Sequence, residues 1–119
     1  MRIKQLLIGI TASVIAISSY VEIAVADLKF PMLVYRTGAY APNGIPNADG
    51  FVDYYKMINA RDGGIGGEKI SHPECETGYK TQVGVECYEK NKKDAMVFQP
   101  MSTGITYQLI PKATADGVT

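Results

Sequence analysis

Apolar residues fall into short blocks along this chain, divided by glycine, proline and polar stretches. Residues 28–35 are mostly apolar and short enough for one strand. Pro31 lacks a ladder donor, so the regular part of that strand is expected to start near Met32. Residues 37–50 hold three glycines, two prolines and two asparagines, which reads as a loop. Asp49 then sits where a helix begins, its carboxylate matched to the positive end of the helix dipole. Phe51, Tyr55 and Ile58 follow at i, i+4 and i+7 and share one helical face. Gly63 and Gly64 stop that helix. Residues 70–75, interrupted by Pro73, make a weak second strand suited to a sheet edge.

The pattern then repeats. Residues 76–78 read as a turn, with Thr77 or Thr81 available to cap a helix. That helix covers 80–93, with Val83, Cys87 and Tyr88 on one face and Lys90, Lys92 and Lys93 in a solvated last turn. Residues 95–98 form a compact apolar run, suited to a strand buried on both faces. A loop at 99–104 leads to a third helix at 105–115, interrupted by Pro111, and 116–119 reads as a turn into a fourth strand. Strands alternating with helices predict an α/β fold with a parallel sheet, here an incomplete doubly wound one. A three-stranded sheet leaves an edge that should be paired, so 27–119 reads as the N-terminal part of a larger lobe.

Composition changes this picture mainly at the N-terminus. Arg2 and Lys4 precede an uncharged apolar run, and Ala24-Val25-Ala26 is a small-x-small site before Asp27. That is the pattern of a secretory signal peptide over 1–26, cleaved between Ala26 and Asp27. The alternative, an uncleaved membrane anchor, suits it less, because the run is short and Glu22 interrupts its end. Residues 27–119 carry ten Lys and Arg against eleven Asp and Glu, a net charge of −1. That balance gives no reason to expect a nucleic acid partner.

Enzyme chemistry finds little support. The glycine run 64–67 follows a helix and precedes a strand, the reverse of a nucleotide-binding loop. One histidine and two separated cysteines suggest no metal site, and His72 reads as a solvated or structural residue. No cofactor is expected. Cys75 and Cys87 have eleven residues between them. In an oxidising compartment they either form a bridge between strand 2 and helix 2, or remain two thiols with Cys87 in the helix core face. The better functional geometry is at the carboxyl ends of the strands, where open parallel sheets bind ligands. Thr37, Tyr40 and Asn43 follow strand 1. Gln99, Ser102 and Thr103 follow strand 3 and open a helix, whose free N–H groups and two hydroxyls suit a carboxylate. Equally, Ser102 and Thr103 are placed to cap that helix.

Several stretches taken in order resemble a known family. They are Thr37-Gly38, Asp49-Gly50, Ile58-Asn59-Ala60, the run from Gly63 to Ile70, Asp94-Ala95, and Pro100-Met101-Ser102-Thr103-Gly104. Together they resemble the type I periplasmic solute-binding proteins of ABC transporters, in the branched-chain amino acid group. The resemblance implies two α/β lobes joined by a hinge, closing over a small solute without catalysis, and ABC permease subunits as membrane partners. It implies that Ser102 and Thr103 hold an amino acid's carboxylate and ammonium, with Tyr40 over the ligand. Gln99 departs from the glycine frequent at its position and puts a side chain where backbone would approach the ligand. A ligand-sensing receptor domain of the same fold, or a truncated product without function, are the competing readings.

Overall fold

The computed structural model describes residues 27–119, so the expected signal peptide and its cleavage site lie outside the described residues. Four short strands and three helices follow in the order β1 (Leu28–Lys29), β2 (Met32–Val34), α1 (Ala41–Arg61), β3 (Ile70–Ser71), β4 (Glu74–Glu76), α2 (Thr81–Asn91) and α3 (Thr103–Asp116). β1 pairs in parallel with β3, and β2 with β4, in the register Leu28 with Ile70 and Leu33 with Cys75. The two expected strands are thus each broken once, at Pro31 and Pro73. The break costs little pairing: the N–H groups of Phe30 and Met32 still donate to Ser71 and Pro73 carbonyls at 2.8 and 2.9 Å.

The third apolar run is not a regular strand. It meets the central segment through isolated bridges, Lys29 to Ala95 and Met32 to Gln99. Nor is it buried on both faces, since Met96 is 53% exposed and only Phe98 is buried. On its other side, the Thr119 N–H donates to the Met96 carbonyl and the Phe98 N–H to the Thr119 carbonyl. The end of the chain thus pairs with the third run. The segments lie in the order 70–76, 28–34, 95–99, 119, with the first strand inside the sheet.

Alternation along β2 separates two cores. Met32 and Val34 face Ala48 and Tyr55 of α1, with Ile70. Leu33 faces the other way, to Cys87 and Tyr88 of α2 and to Ile105 and Leu109 of α3, with Phe98. Side chains on opposite faces of a strand, each covered by helices, make the sheet doubly wound.

The largest difference from the sequence reading is α1. The expected loop over 37–50 is loop only to Tyr40. The helix starts at Ala41, eight residues before Asp49, with proline in its first turn. Pro42 sits where backbone N–H groups have no helical partner, so it costs nothing there. Pro46 forgoes one bond. Gly44 is present because the helix crosses the first strand closely: a Cβ there would lie 2.0 Å from the Tyr35 carbonyl oxygen. Two smaller corrections follow. α3 runs unbroken through Pro111 from Thr103 to Asp116 and ends on Gly117 in the left-handed conformation. Lys80, not Thr77 or Thr81, is the N-cap of α2. The Thr77 hydroxyl donates instead to the Val34 carbonyl, at 2.9 Å, and accepts from the Tyr79 N–H. Finally, Cys75 and Cys87 are joined by a disulfide that ties β4 to α2, Cα atoms 5.8 Å apart. Among the described residues, no helix is long and apolar enough to cross a membrane.

Candidate functional site

The first strand lies between β3–β4 on one side and the 95–99 segment on the other, with helices on opposite faces. Strand order therefore reverses beside it, and a crevice opens at the carboxyl ends of the strands. A cleft of about 430 Å³ is found there. Its wall comes from three places. Asn47 belongs to α1, Tyr79 follows β4, and Met101, Ser102, Thr103, Thr106 and Tyr107 belong to the loop after the third run and the first turns of α3.

Ser102 is the N-cap residue of α3, with extended backbone, and is 8% exposed. Its carbonyl accepts from the N–H and the hydroxyl of Thr106. Its own hydroxyl makes no capping bond. Among the described residues that hydroxyl has no hydrogen-bond partner, although it sits at the wall of the cleft. Beside it, the first N–H groups of α3 lack intrahelical acceptors, as at every helix start. A hydroxyl open to the cleft beside free N–H groups forms a donor cluster for an anion. The capping role proposed from the sequence thus holds for Ser102 by position and not by side chain.

Among the described residues three non-glycine positions have positive φ, and two of them line this cleft, Tyr79 at 63° and Met101 at 50°. Left-handed backbone costs an ordinary residue on the order of 1 kcal/mol and persists only where surrounding structure enforces it. The enforcement at Tyr79 is visible. Its N–H donates to Thr77 Oγ1, and its ring packs edge-on to Tyr35 at 4.8 Å and against Tyr40 at 4.4 Å. Below the turn, Glu76 accepts from the Arg36 N–H, the Gly78 N–H and the Thr37 hydroxyl. Burial pushes its carboxyl up, but these donors outweigh burial and hold it below the ordinary value. Arg36 in turn bonds Glu74 through two nitrogens and Asp49 through a third, and these bonds raise its affinity for its proton.

The residues singled out from the sequence are placed as follows. Ser102 and Thr103 both line the cleft. Tyr40 is 54% exposed and stands behind Tyr79 rather than in the wall. Gln99 is part of the sheet, its N–H donating to Pro31 and its carbonyl accepting from Leu33. Its amide lies toward Tyr55, whose hydroxyl is pushed up by burial while Gln99 acts against that rise. The His72 ring packs against Tyr55 at 5.6 Å. Tyr79, Asn47, Thr106 and Tyr107 were not expected. Tyr107 follows Thr103 by four residues, a spacing that shares a helical face and was open to sequence reading. Among the described residues, no group of three His, Cys, Asp or Glu could hold a metal ion.

Residues 27–119 match the model of a family described as periplasmic binding protein. The chain belongs to that family. It resembles a crystal structure from the Pseudomonas fluorescens group described as an ABC transporter permease, at 38% identity and a TM-score of 0.72, over 77% of this chain and 23% of that one. A type 1 periplasmic binding protein from Bordetella pertussis is similar at 25% identity, TM-score 0.66, over 77% of this chain and 25% of that one. The branched-chain amino acid transporter substrate-binding protein LivJ from Streptococcus pneumoniae, solved with isoleucine, shares the fold. It has 22% identity and a TM-score of 0.68, over 77% of this chain and 27% of that one. The chain therefore spans about a quarter of the length of these solved structures. No curated relative matches.

Proposed function

We propose that this chain forms one wall of the ligand cleft of an extracytoplasmic binding protein that serves an ABC importer. Its solute is a branched-chain amino acid or a related small carboxylate or amide, and the protein is non-catalytic. Export through a signal peptide cleaved between Ala26 and Asp27 delivers it to the periplasm, where membrane-embedded permease subunits receive the loaded form. A hinge motion against a second lobe traps the solute. The observation that carries this reading is Ser102, whose hydroxyl makes no capping bond and opens onto the cleft at the start of α3. Ser102, Thr103 and the first N–H groups of α3 hold the solute's carboxylate. Family membership and the LivJ likeness in fold support the class of solute.

Amide-resolved NMR of the isotope-labelled full chain tests this. Millimolar L-isoleucine or acetate is expected to shift the amide signals of residues 102–105. Ser102→Ala should weaken that binding about tenfold, the low end for a hydrogen bond to a charged group. The same variant should leave unfolding stability within about 0.5 kcal/mol, below the usual cost of losing an N-cap side chain, because no cap bond is lost. Amides of 102–105 that stay still at tens of millimolar of both probes overturn the reading.

A further inference from the structure

Gly50 stands in the middle of α1, a position where glycine weakens a helix relative to alanine. Nothing inside the chain requires it there, since a Cβ would meet no atom within 4 Å. Its effect is on the outside. A hollow of about 290 Å³ opens over it, lined also by Pro46, Asn47, Phe51 and Tyr54. Asn47, Gly50, Phe51 and Tyr54 stand at i, i+3, i+4 and i+7, the four positions that make a hole for a side chain of a facing helix. Large side chains project beside that hole: Tyr54 is 56% exposed and Met57 is 41% exposed. Among the described residues, β2 and β3 are the only elements against which α1 packs, so this outer face has no partner.

Spacing along the face is that of a coiled-coil seam. Asn43, Asn47, Gly50, Tyr54, Met57 and Arg61 alternate by four and three residues, and all are exposed. The first half of this stripe is small or polar, and the second half is large. An antiparallel copy centred between Gly50 and Tyr54 sets Tyr54 over the partner's Gly50 and Met57 over the partner's Asn47. The two-fold axis then makes the same two contacts again. A face with knob and hole at symmetric positions is complementary to itself, as a two-fold interface must be.

We propose that α1 is a self-association surface whose occupant is α1 of a second copy, packed antiparallel, with Tyr54 of each copy in the hollow over Gly50 of the other. The stripe is about 27 Å long and about 10 Å wide, which gives on the order of 300 Å² per copy. The pair then covers about 600 Å², below the roughly 1,000 Å² of a stable interface, so it is a transient one with Kd on the order of 0.1 mM. Asp53 lies beside the two-fold axis and meets its own copy, a like-charge contact that also keeps the pair weak. The surface does not depend on which solute the cleft takes.

Sedimentation equilibrium of the full chain up to about 1 mM tests this, with monomer and dimer expected in exchange. Gly50→Ala and Tyr54→Ser should each weaken association about tenfold or more. Alanine fills the hollow but favours the helix, so loss of pairing together with gain of stability is the specific signature of Gly50→Ala. In a mixture of isotope-labelled and unlabelled chain, nuclear Overhauser contacts should join the Tyr54 ring of one copy to Gly50 of the other. A chain that stays monomeric at about 1 mM overturns the proposal. So does association that survives Gly50→Ala and Tyr54→Ser, or that is lost instead with Ile110→Ser at an exposed position of α3, which places the contact on another face.

Discussion

Tyr88 is fully buried in the second core, with its ring 4.7 Å from Phe98. Its hydroxyl donates to Asp116 Oδ2 at 2.8 Å, and Lys92 reaches the same oxygen at 3.0 Å. Burial, and then the bond to Asp116, push the Tyr88 hydroxyl up to about 12 from its ordinary 10.0. A raised value in the folded state means stability that is complete below pH 10 and is lost as pH rises toward 12. An absorbance titration of the phenolates should therefore include a late step near pH 12. Tyr88→Phe should remove that late step. A titration with no step near pH 12 would show that Tyr88 is not held buried against Asp116 as described. At this scale the sequence was a partial guide to the cleft. Ser102 and Thr103 were legible because hydroxyl residues between an apolar run and a helix either cap that helix or face a ligand at its start. Tyr79 was not, because its place in the wall follows from left-handed backbone after Gly78, and a tyrosine gives no hint of that conformation.

The element that sequence patterning misjudged most is α1, and the misjudgement has a physical cause. Glycine and proline weaken helices on average, yet here two of them meet a local need. Gly44 permits close contact with Tyr35, and Pro42 occupies the first turn, where its missing N–H is harmless. Gly50 in the same helix meets no such need, since a Cβ there would find no neighbouring atom within 4 Å. The two glycines should respond oppositely to alanine. Gly44→Ala should cost about 1–3 kcal/mol by overpacking. Gly50→Ala should stabilise by up to about 1 kcal/mol through helix propensity. Urea denaturation of both variants checks this, and a tolerated Gly44→Ala would mean that α1 does not cross the strand as closely as described. The later half of α1 was legible for the opposite reason. Phe51, Tyr55 and Ile58 pack against the first core at the spacing their sequence positions imply, and Asn59 fastens the far end by bonding both the N–H and the carbonyl of Ile70. The prolines at 31 and 73 were read correctly as interruptions. Parallel pairing on both sides of each break needed the three-dimensional arrangement to become visible.

Across the molecule, the sheet separates two small cores, and the disulfide joins a strand of that sheet to a helix covering one of its faces. Cys75 packs against the core containing Leu33, Cys87 and Tyr88. Closing a loop of this size stabilises by about 3 kcal/mol. A domain near a hundred residues has only about 5–15 kcal/mol in total. Reduction with dithiothreitol should therefore lower the unfolding free energy by about 3 kcal/mol, read as a shift in urea midpoint, and Cys75→Ser with Cys87→Ser should reproduce that loss. An unchanged midpoint on reduction would show that the bridge gives the fold no support. The same covalent tie gives the chain a sense of where it is. In a reducing compartment the two thiols stay open and the chain carries the smaller stability. In an oxidising one a single bond closes, between the strand that leads into the turn at Tyr79 and α2. Oxidation therefore anchors β4, and with it the turn that follows, to α2.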